Sequence, residues 1–189
     1  RIADENNLLL IEDAAESMGA SINGKKIGTY GDSSMLSFCQ NKILPTGEGG
    51  AIITNSQEIY EKAKLIRSHG RVEELENYFS NIGDNDYAVI GYNYRMSTIS
   101  AALGLSQFKK ISKLIEARRE RAKYLNQHLS KIKGVYVHNE IGGHFQVYQL
   151  YAIQLENEEI RDALQQFLTE KSIMSKVYFN PVHLKTIYK

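Results

Sequence analysis

The sequence predicts an α/β protein, with a larger domain built on a mainly parallel β-sheet and a smaller α+β domain after it. An unbroken apolar run at residues 8–11 ends in two acidic residues, and short strand-like segments follow at residues 34–38 and 51–54. A long helical pattern covers residues 97–133. Unbroken rather than alternating apolar residues are typical of strands that are buried on both faces beneath helices.

A helix is predicted after the strand at residues 51–54. Asn55 is the candidate N-cap, and Glu58 follows three residues later, as in a capping box. The helix has an apolar stripe formed by Ile59, Ala63 and Ile66. Gly70 ends this pattern. Residues 73–86 are polar and have no clear period, which predicts a loop.

The second half begins with the strongest helical pattern of the chain, at residues 97–133. Its length exceeds that of a typical helix, so it corresponds either to two helices or to one that passes between domains. Three further elements are predicted, a strand at residues 146–155, a helix at residues 160–170 and a strand at residues 174–178. We therefore assign residues 1–116 to part of the larger domain and residues 117–189 to part of the smaller one.

Charge and cysteine content restrict the class of protein. The chain has 23 Lys and Arg against 22 Asp and Glu, so its net charge of +1 makes no case for binding nucleic acid or an anionic membrane. No apolar run approaches the roughly 20 residues of a membrane-spanning helix. Cys39 is a single cysteine and favours a reducing compartment, which is consistent with a cytoplasmic protein. Because both ends interrupt predicted structure, we expect a segment of a longer protein.

Two residues are candidates for chemistry by position alone. Asp13 follows the first strand, where open α/β sheets place ligands, although an acidic residue at such a position more often caps the next turn or helix. Lys42 lies between a strand and the glycine cluster at residues 47–50, where most lysines are solvent-exposed. The glycine spacing fits neither a Walker loop nor a dinucleotide fingerprint. The histidines share no metal-ligand spacing, so we predict no metal site.

Several motifs, taken together and in order, resemble the DegT/DnrJ/EryC1/StrS family of sugar aminotransferases. They are IEDAAESMGA at residues 11–20, GTYGD at 28–32, SFCQNK at 37–42, TGEGG at 46–50, RSHG at 67–70, GYNYRM at 91–96 and YFNPVH at 178–183. The resemblance spans essentially the whole chain. Each motif alone is weak, but their order makes the resemblance specific.

The resemblance implies the aspartate-aminotransferase (type I) fold, a homodimer with active sites at the subunit interface, and pyridoxal 5'-phosphate (PLP) as cofactor. By this analogy Lys42 forms the internal aldimine and Asp13 pairs with the pyridinium nitrogen. Ser37 would bind the cofactor phosphate, and Asn93 would reach the phosphate of the cofactor in the other subunit. Glu16 would lie near the phenolic oxygen, at a position where many members have Gln.

The implied reaction transfers an amino group from an amino acid, usually glutamate, to a keto sugar nucleotide. The motif that contains Glu16 is more similar to members that aminate C4 of a 4-keto-6-deoxy sugar nucleotide, including perosamine synthases, than to those acting at C3. The nucleotide stays open. His183 either approaches the sugar or is a structural hydrogen-bonding residue. The family's upstream segment that binds the cofactor phosphate, and its last small-domain elements, are absent from this sequence.

Three other functions are weighed against this one. A sugar dehydratase of the same fold has histidine in place of the imine lysine, and Lys42 argues against it. A non-catalytic PLP-binding or regulatory module is disfavoured because Asp13, Ser37, Lys42 and Asn93 are all present. A nucleotide-sugar oxidoreductase would need a dinucleotide fingerprint, which the sequence lacks.

Overall fold

The computed structural model describes residues 1–72 and 86–188. The chain divides into two units, one of Arg1–Lys123 with Glu140–Tyr151 and the other of Tyr124–Asn139 with Ala152–Lys189. The loop predicted at residues 73–86 lies outside the described residues, except for Asp86. No helix within the described residues is both long and apolar enough to cross a membrane.

Strands and helices come in groups along the described residues, with five strands after the first helix, then three helices, three strands and a last helix. In order they are α1 (Ile2–Glu5), β1 (Ile11–Asp13), β2 (Ser21–Ile22), β3 (Lys25–Lys26), β4 (Ser33–Ser37), β5 (Gly50–Thr54), α2 (Gln57–Arg67), α3 (Thr98–Phe108), α4 (Ile111–Leu129), β6 (Val135–Val137), β7 (His144–Phe145), β8 (Ile153–Leu155) and α5 (Glu158–Glu170). Two short 3-10 helices, Val182–Leu184 and Thr186–Tyr188, follow.

The strands form three small sheets. The first has the order β1-β4-β5, in which β1 and β4 are parallel and β5 is antiparallel to β4. The second has the order β3-β2-β7, and the third pairs β6 with β8, all antiparallel. The α/β class is confirmed, and the first sheet contains both parallel and antiparallel pairs.

The first strand differs from its prediction in position and burial. It covers Ile11–Asp13 rather than residues 8–11, because Leu10 makes its backbone bonds with Asp32 before the ladder begins. Leu9 is 78% exposed and Ile11 is 71% exposed, so burial on both faces was a wrong prediction for this chain. The strand lies at the edge of its three-stranded sheet.

The helices agree with the sequence patterns, with shifted ends. Helix α2 begins after Ser56, whose hydroxyl accepts the N–H of Ile59 at 3.3 Å, so Asn55 is not the cap. The pattern at residues 97–133 is two helices, α3 and α4, separated by a turn at residues 109–110 and ending at Leu129. The helix predicted at residues 160–170 is confirmed as α5, capped by the side chain of Asn157.

Two predicted strands were wrong in extent or existence. Of the strand predicted at residues 146–155, only Ile153–Leu155 pairs. The cause is visible at Tyr148, whose φ of +48° is left-handed and incompatible with continuous extended backbone. Residues 174–178 pair with no other strand within the described residues, and Met174 is fully exposed.

The core of the first unit joins elements that are distant in sequence. Ile43, Ile115 and Val147 are each 4 to 6% exposed and pack together, and they come from the loop after β4, from α4 and from the segment after β7. Gly19 passes close to this cluster. Its φ is +93° and a Cβ here would lie 2.6 Å from Cδ1 of Ile115, so both the backbone conformation and the space favour glycine.

Candidate active site

The loop of residues 38–49, which joins β4 to β5, carries Lys42. Its base is closed by two backbone bonds of Phe38, whose N–H donates to Gly49 at 2.8 Å and whose carbonyl accepts from Thr46 at 2.8 Å. Ile43 and Leu44 are both 4% exposed. The loop is therefore anchored at its base and packed in its middle, unlike a solvated surface loop.

The glycine cluster after Lys42 has a steric cause at Gly49. Its φ is +150°, a conformation that residues with side chains rarely adopt. A Cβ here would lie 2.6 Å from Cε of Met96 and 2.9 Å from Oγ1 of Thr46. Both the backbone conformation and the close neighbours of Gly49 therefore favour glycine at this position.

Lys42 and Glu16 form an ion pair at the centre of the candidate site. Lys42 Nζ lies 2.7 Å from Oε1 of Glu16, and the two side chains are 14% and 40% exposed. A charge-assisted hydrogen bond of this length is stronger than a neutral one. The lysine is thus not a solvent-exposed loop residue, and two residues of the predicted site are brought together.

Asp13 and Ser37 lie at the carboxyl ends of neighbouring parallel strands. Asp13 is opposite Met35 in the register of β1 and β4, two residues before Ser37. The Asp13 carboxylate accepts the N–H of Ala15 at 3.1 Å, and the Ser37 hydroxyl accepts the N–H of Cys39 at 3.3 Å. Both side chains therefore lie at the same edge of the sheet, the edge formed by the carboxyl ends of its parallel strands, where α/β proteins bind ligands.

Glu12 is a residue whose importance the sequence did not indicate beyond its place in a motif. Its carboxylate accepts N–H groups from Gly28 at 2.8 Å, Tyr30 at 2.5 Å and Gly31 at 2.7 Å. Partial burial raises the pKa of Glu12, but these three bonds and the charge of Lys25 lower it more, so the net pKa lies below the ordinary value. Successive strand residues point to opposite faces, so Glu12 fixes the loop at residues 28–31 while Asp13 faces the other way.

Asn93 is placed by its backbone. It forms a short antiparallel bridge with Ser68, which is fully buried and accepts a hydrogen bond from Nη1 of Arg95 at 3.2 Å. The N–H of His69 donates to Tyr92 at 2.8 Å on the same stretch. The RSHG and GYNYRM motifs are thus neighbours in space, and the side chain of Asn93 is exposed.

His183 belongs to the second unit, in the 3-10 helix Val182–Leu184, and is exposed. Across residues 1–72 and 86–188, no group of three or more His, Cys, Asp or Glu side chains is arranged to hold a metal ion. The described geometry thus joins Lys42 to Glu16 and places Asp13 and Ser37 at the ends of neighbouring strands, all four in the first unit.

Comparison with known proteins identifies the source of these motifs. The model of the DegT/DnrJ/EryC1/StrS aminotransferase family matches residues 1–189. The chain belongs to this family. The resemblance seen in the motifs is therefore confirmed, and the Lys42 loop and the strand end at Asp13 are features of a family member.

Curated relatives in the family match this chain over part or all of its length. It is 37% identical over 190 residues to the GDP-perosamine synthase of Vibrio cholerae, an alignment that covers 100% of this chain and 49% of that protein. It is 38% identical over 130 residues to the UDP-4-amino-4,6-dideoxy-N-acetyl-beta-L-altrosamine transaminase of Campylobacter jejuni, covering 69% of this chain and 33% of the relative. The chain spans about half the length of the curated relatives it matches.

A solved structure confirms the fold. Helicobacter pylori PseC, an aminotransferase involved in the biosynthesis of pseudoaminic acid, matches with a TM-score of 0.89 at 28% identity, covering 99% of this chain and 49% of PseC. The predicted aminotransferase fold is therefore correct for the portion of it that this chain contains.

Proposed function

We propose that the whole protein transfers an amino group from an amino acid, with L-glutamate as the expected donor, to a nucleotide-linked keto sugar. The observation that carries this proposal is the ion pair of Lys42 with Glu16, which follows the strand end at Asp13 by three residues. Family membership supports the reaction class. Because the chain spans about half of its relatives, the activity is proposed for the whole protein.

We propose PLP as the cofactor, and the chemistry of the side chains fits it. An amine suits the aldehyde, a carboxylate suits the protonated ring nitrogen and a hydroxyl suits the phosphate, and these are the groups of Lys42, Asp13 and Ser37. When bound, the cofactor supplies an electron sink for the carbon that gains or loses the amine. Lys42 would hold it and Asp13 would keep its ring nitrogen charged.

The roles of the chain's own groups follow from their positions. The Lys42 amine is held by Glu16 before reaction, and once free it would carry a proton between substrate and cofactor carbons as a general acid and base. Glu16 would bind near the phenolic oxygen of the ring. Asn93, exposed on its backbone bridge, would reach the cofactor phosphate of a second subunit in a homodimer.

We propose a 4-keto-6-deoxy sugar nucleotide as the acceptor. The Campylobacter jejuni relative is named for a 4-amino-4,6-dideoxy sugar, and the Vibrio cholerae relative is a GDP-perosamine synthase. His183 is the candidate for contact with the sugar. We also propose that residues 1–116 belong to the larger, cofactor-binding domain of the whole protein and residues 117–189 to the smaller one.

The absorbance spectrum of the whole protein with PLP tests this function. We expect a visible band that bleaches on addition of L-glutamate, and we expect Lys42→Ala to lose both the band and all transamination while remaining folded. Lys113→Ala, an exposed lysine on α4, is the matched control and should keep both. Turnover by Lys42→Ala would overturn the assignment. A protein without any band would instead be a non-catalytic module.

A further inference from the structure

The segment of residues 146–149 contacts the chain on both sides of Lys42. Nε2 of Gln149 donates a hydrogen bond to the carbonyl of Asn41 at 2.7 Å. Val147 packs against Ile43 in the core cluster. One short segment, more than 100 residues later in the chain, thus holds the residue before Lys42 and the residue after it.

The hydrogen bond of Gln149 acts on the peptide group that leads into Lys42. The carbonyl of Asn41 and the N–H of Lys42 belong to one planar unit. The carbonyl end accepts from Gln149, and the N–H end donates to the carbonyl of Cys39 at 3.0 Å. With both ends bonded, the plane cannot rotate freely, so the direction in which the Lys42 side chain leaves the backbone is defined.

The segment is itself fastened to helix α4 by two arginines. Nη1 of Arg118 donates to the carbonyls of Tyr148 at 3.0 Å and Gln149 at 3.2 Å. Nη1 of Arg119 donates to the carbonyl of Gln146 at 2.6 Å, and Arg119 also pairs with Glu140 through two bonds, of 2.6 and 3.0 Å. The hydrogen bond from Arg119 lowers the pKa of Glu140 below its ordinary value, so this pair stays charged at neutral pH.

The same core contacts Gly19 and Ala20, three and four residues after Glu16. Ala20 packs on the cluster, and Gly19 lies against Ile115 and Val147. The chain near each partner of the ion pair, at Ile43 and at Gly19 and Ala20, therefore contacts one cluster of side chains. A shift of the segment at residues 146–149 would alter the position of Lys42 relative to Glu16, because the cluster is closely packed.

We propose that Gln149 is a positioning residue for Lys42: its amide orients the peptide between Asn41 and Lys42 and so aims the lysine amine at the bound cofactor. This inference rests on the proposed function, in which Lys42 holds the cofactor. Gln149 acts through the backbone. A misplacement of about 1 Å at a reacting group lowers rates by up to about 100-fold. The hydrogen bond of Gln149 therefore affects the reaction rate although Gln149 does not contact the reacting atoms.

The decisive variant is Gln149→Glu in the whole protein, since it keeps the shape of the side chain and removes the N–H donor. The first readout is the rate at which PLP adds to Lys42, trapped with borohydride and measured by mass spectrometry. We expect this rate to fall about tenfold. Gln154→Glu makes the same chemical change on β8, at an exposed position in the second unit, and should leave the rate unchanged.

The second readout uses no cofactor and separates positioning from loss of fold. In cofactor-free protein the Lys42 amine is shielded by Glu16, so we expect Gln149→Glu to increase acetylation of Lys42 by acetic anhydride severalfold. Acetylation of the exposed Lys113 and the temperature of unfolding should not change. Gln149→Leu also lacks the donor and should show the same increase in acetylation of Lys42. It replaces Gln149→Glu in this experiment if the glutamate variant is unstable.

The two readouts fail in different ways. If PLP does not add to Lys42 in the wild type, the proposed function is wrong, and acetylation still decides whether Gln149 positions the lysine. Equal acetylation of Lys42 in wild type and in a folded Gln149 variant overturns the positioning role. A uniform rise in acetylation of all lysines, with a lower unfolding temperature, would also overturn it, because it would show a general structural role only.

Discussion

The loop that carries Lys42 and the segment that carries His183 are held in different ways. In the loop at residues 38–49, Ile43 and Thr46 are 4 and 5% exposed, and bonds to Phe38 close the base. In the segment at residues 174–188, Phe179 is 59% exposed and Val182 is 64% exposed. Backbone bonds within that segment are short-range turns, such as the bond from Leu184 to Pro181 at 3.1 Å.

This difference separates two kinds of site residue. Around Lys42 the chain's own packing defines where the side chain starts, so the group is organised before any ligand arrives. Around His183 the segment has little burial in its own unit, so contacts with ligand would contribute more to its position. Substitutions near Lys42 should therefore have large effects on chemistry, and those at His183 should have small effects on binding.

The largest effect after loss of Lys42 itself is expected at the strand end. Asp13→Ala should lower kcat by about 10- to 1000-fold, because the ring nitrogen of the cofactor would lose an opposite charge worth about one to three pKa units. Steady-state kinetics of the whole protein with PLP measure this. Asp13→Asn is the matched variant, since it keeps the shape and removes the charge. A rate near that of the wild type in either variant would show that Asp13 has another role.

A smaller effect, on stability, is expected at Glu12. Glu12→Gln should destabilise the fold by about 2 kcal/mol at pH 7. In the wild type both carboxylate oxygens of Glu12 accept backbone N–H groups, whereas the NH2 group of glutamine would face one of these N–H groups with a second donor. The pKa of Glu12 is lowered in the folded state, so its contribution is complete above the ordinary value of 4.5 and is lost as the pH falls below it. Urea denaturation at several pH values measures this.

The pH dependence gives the control for that experiment. The difference in stability between wild type and Glu12→Gln should shrink as the pH falls below 4.5. A difference that stays constant over this range would mean that the bonds of Glu12 depend on shape rather than on charge. Such a result would mean that charged hydrogen bonds do not distinguish the first unit from the exposed segment at residues 174–188.

The smallest effect is expected at His183. His183→Ala should raise the KM for the keto sugar nucleotide about fivefold and leave kcat nearly unchanged, because a lost hydrogen bond contributes about 1 kcal/mol. Kinetics with saturating amino donor measure the two constants separately. His183→Asn retains a polar group, so its KM should lie between those of the wild type and His183→Ala. A large loss of kcat would place His183 among the reacting groups and would remove the contrast with Lys42.

The sequence alone identified the local elements and the family. Strands β4 and β5 and helices α2 and α5 were predicted within a few residues, because glycine boundaries and apolar spacing are local signals. The motifs at residues 11–20 and 37–42 led to the family, which the match over residues 1–189 confirms. The roles proposed for Asp13, Ser37 and Asn93 remain predictions.

Only the tertiary structure determined which residues distant in sequence contact each other. The strand predicted at residues 146–155 is interrupted at Tyr148, which has a left-handed backbone and whose carbonyl accepts a hydrogen bond from Arg118. The apolar spacing of the sequence does not indicate this interruption. The ion pair of Lys42 with Glu16 joins residues 26 apart, and the bond of Gln149 to Asn41 joins residues 108 apart. Composition and spacing describe neighbours along a chain, whereas these contacts form only when packing brings distant segments together. The family's motifs therefore indicated which residues matter, and the folded core determined how Lys42 is held.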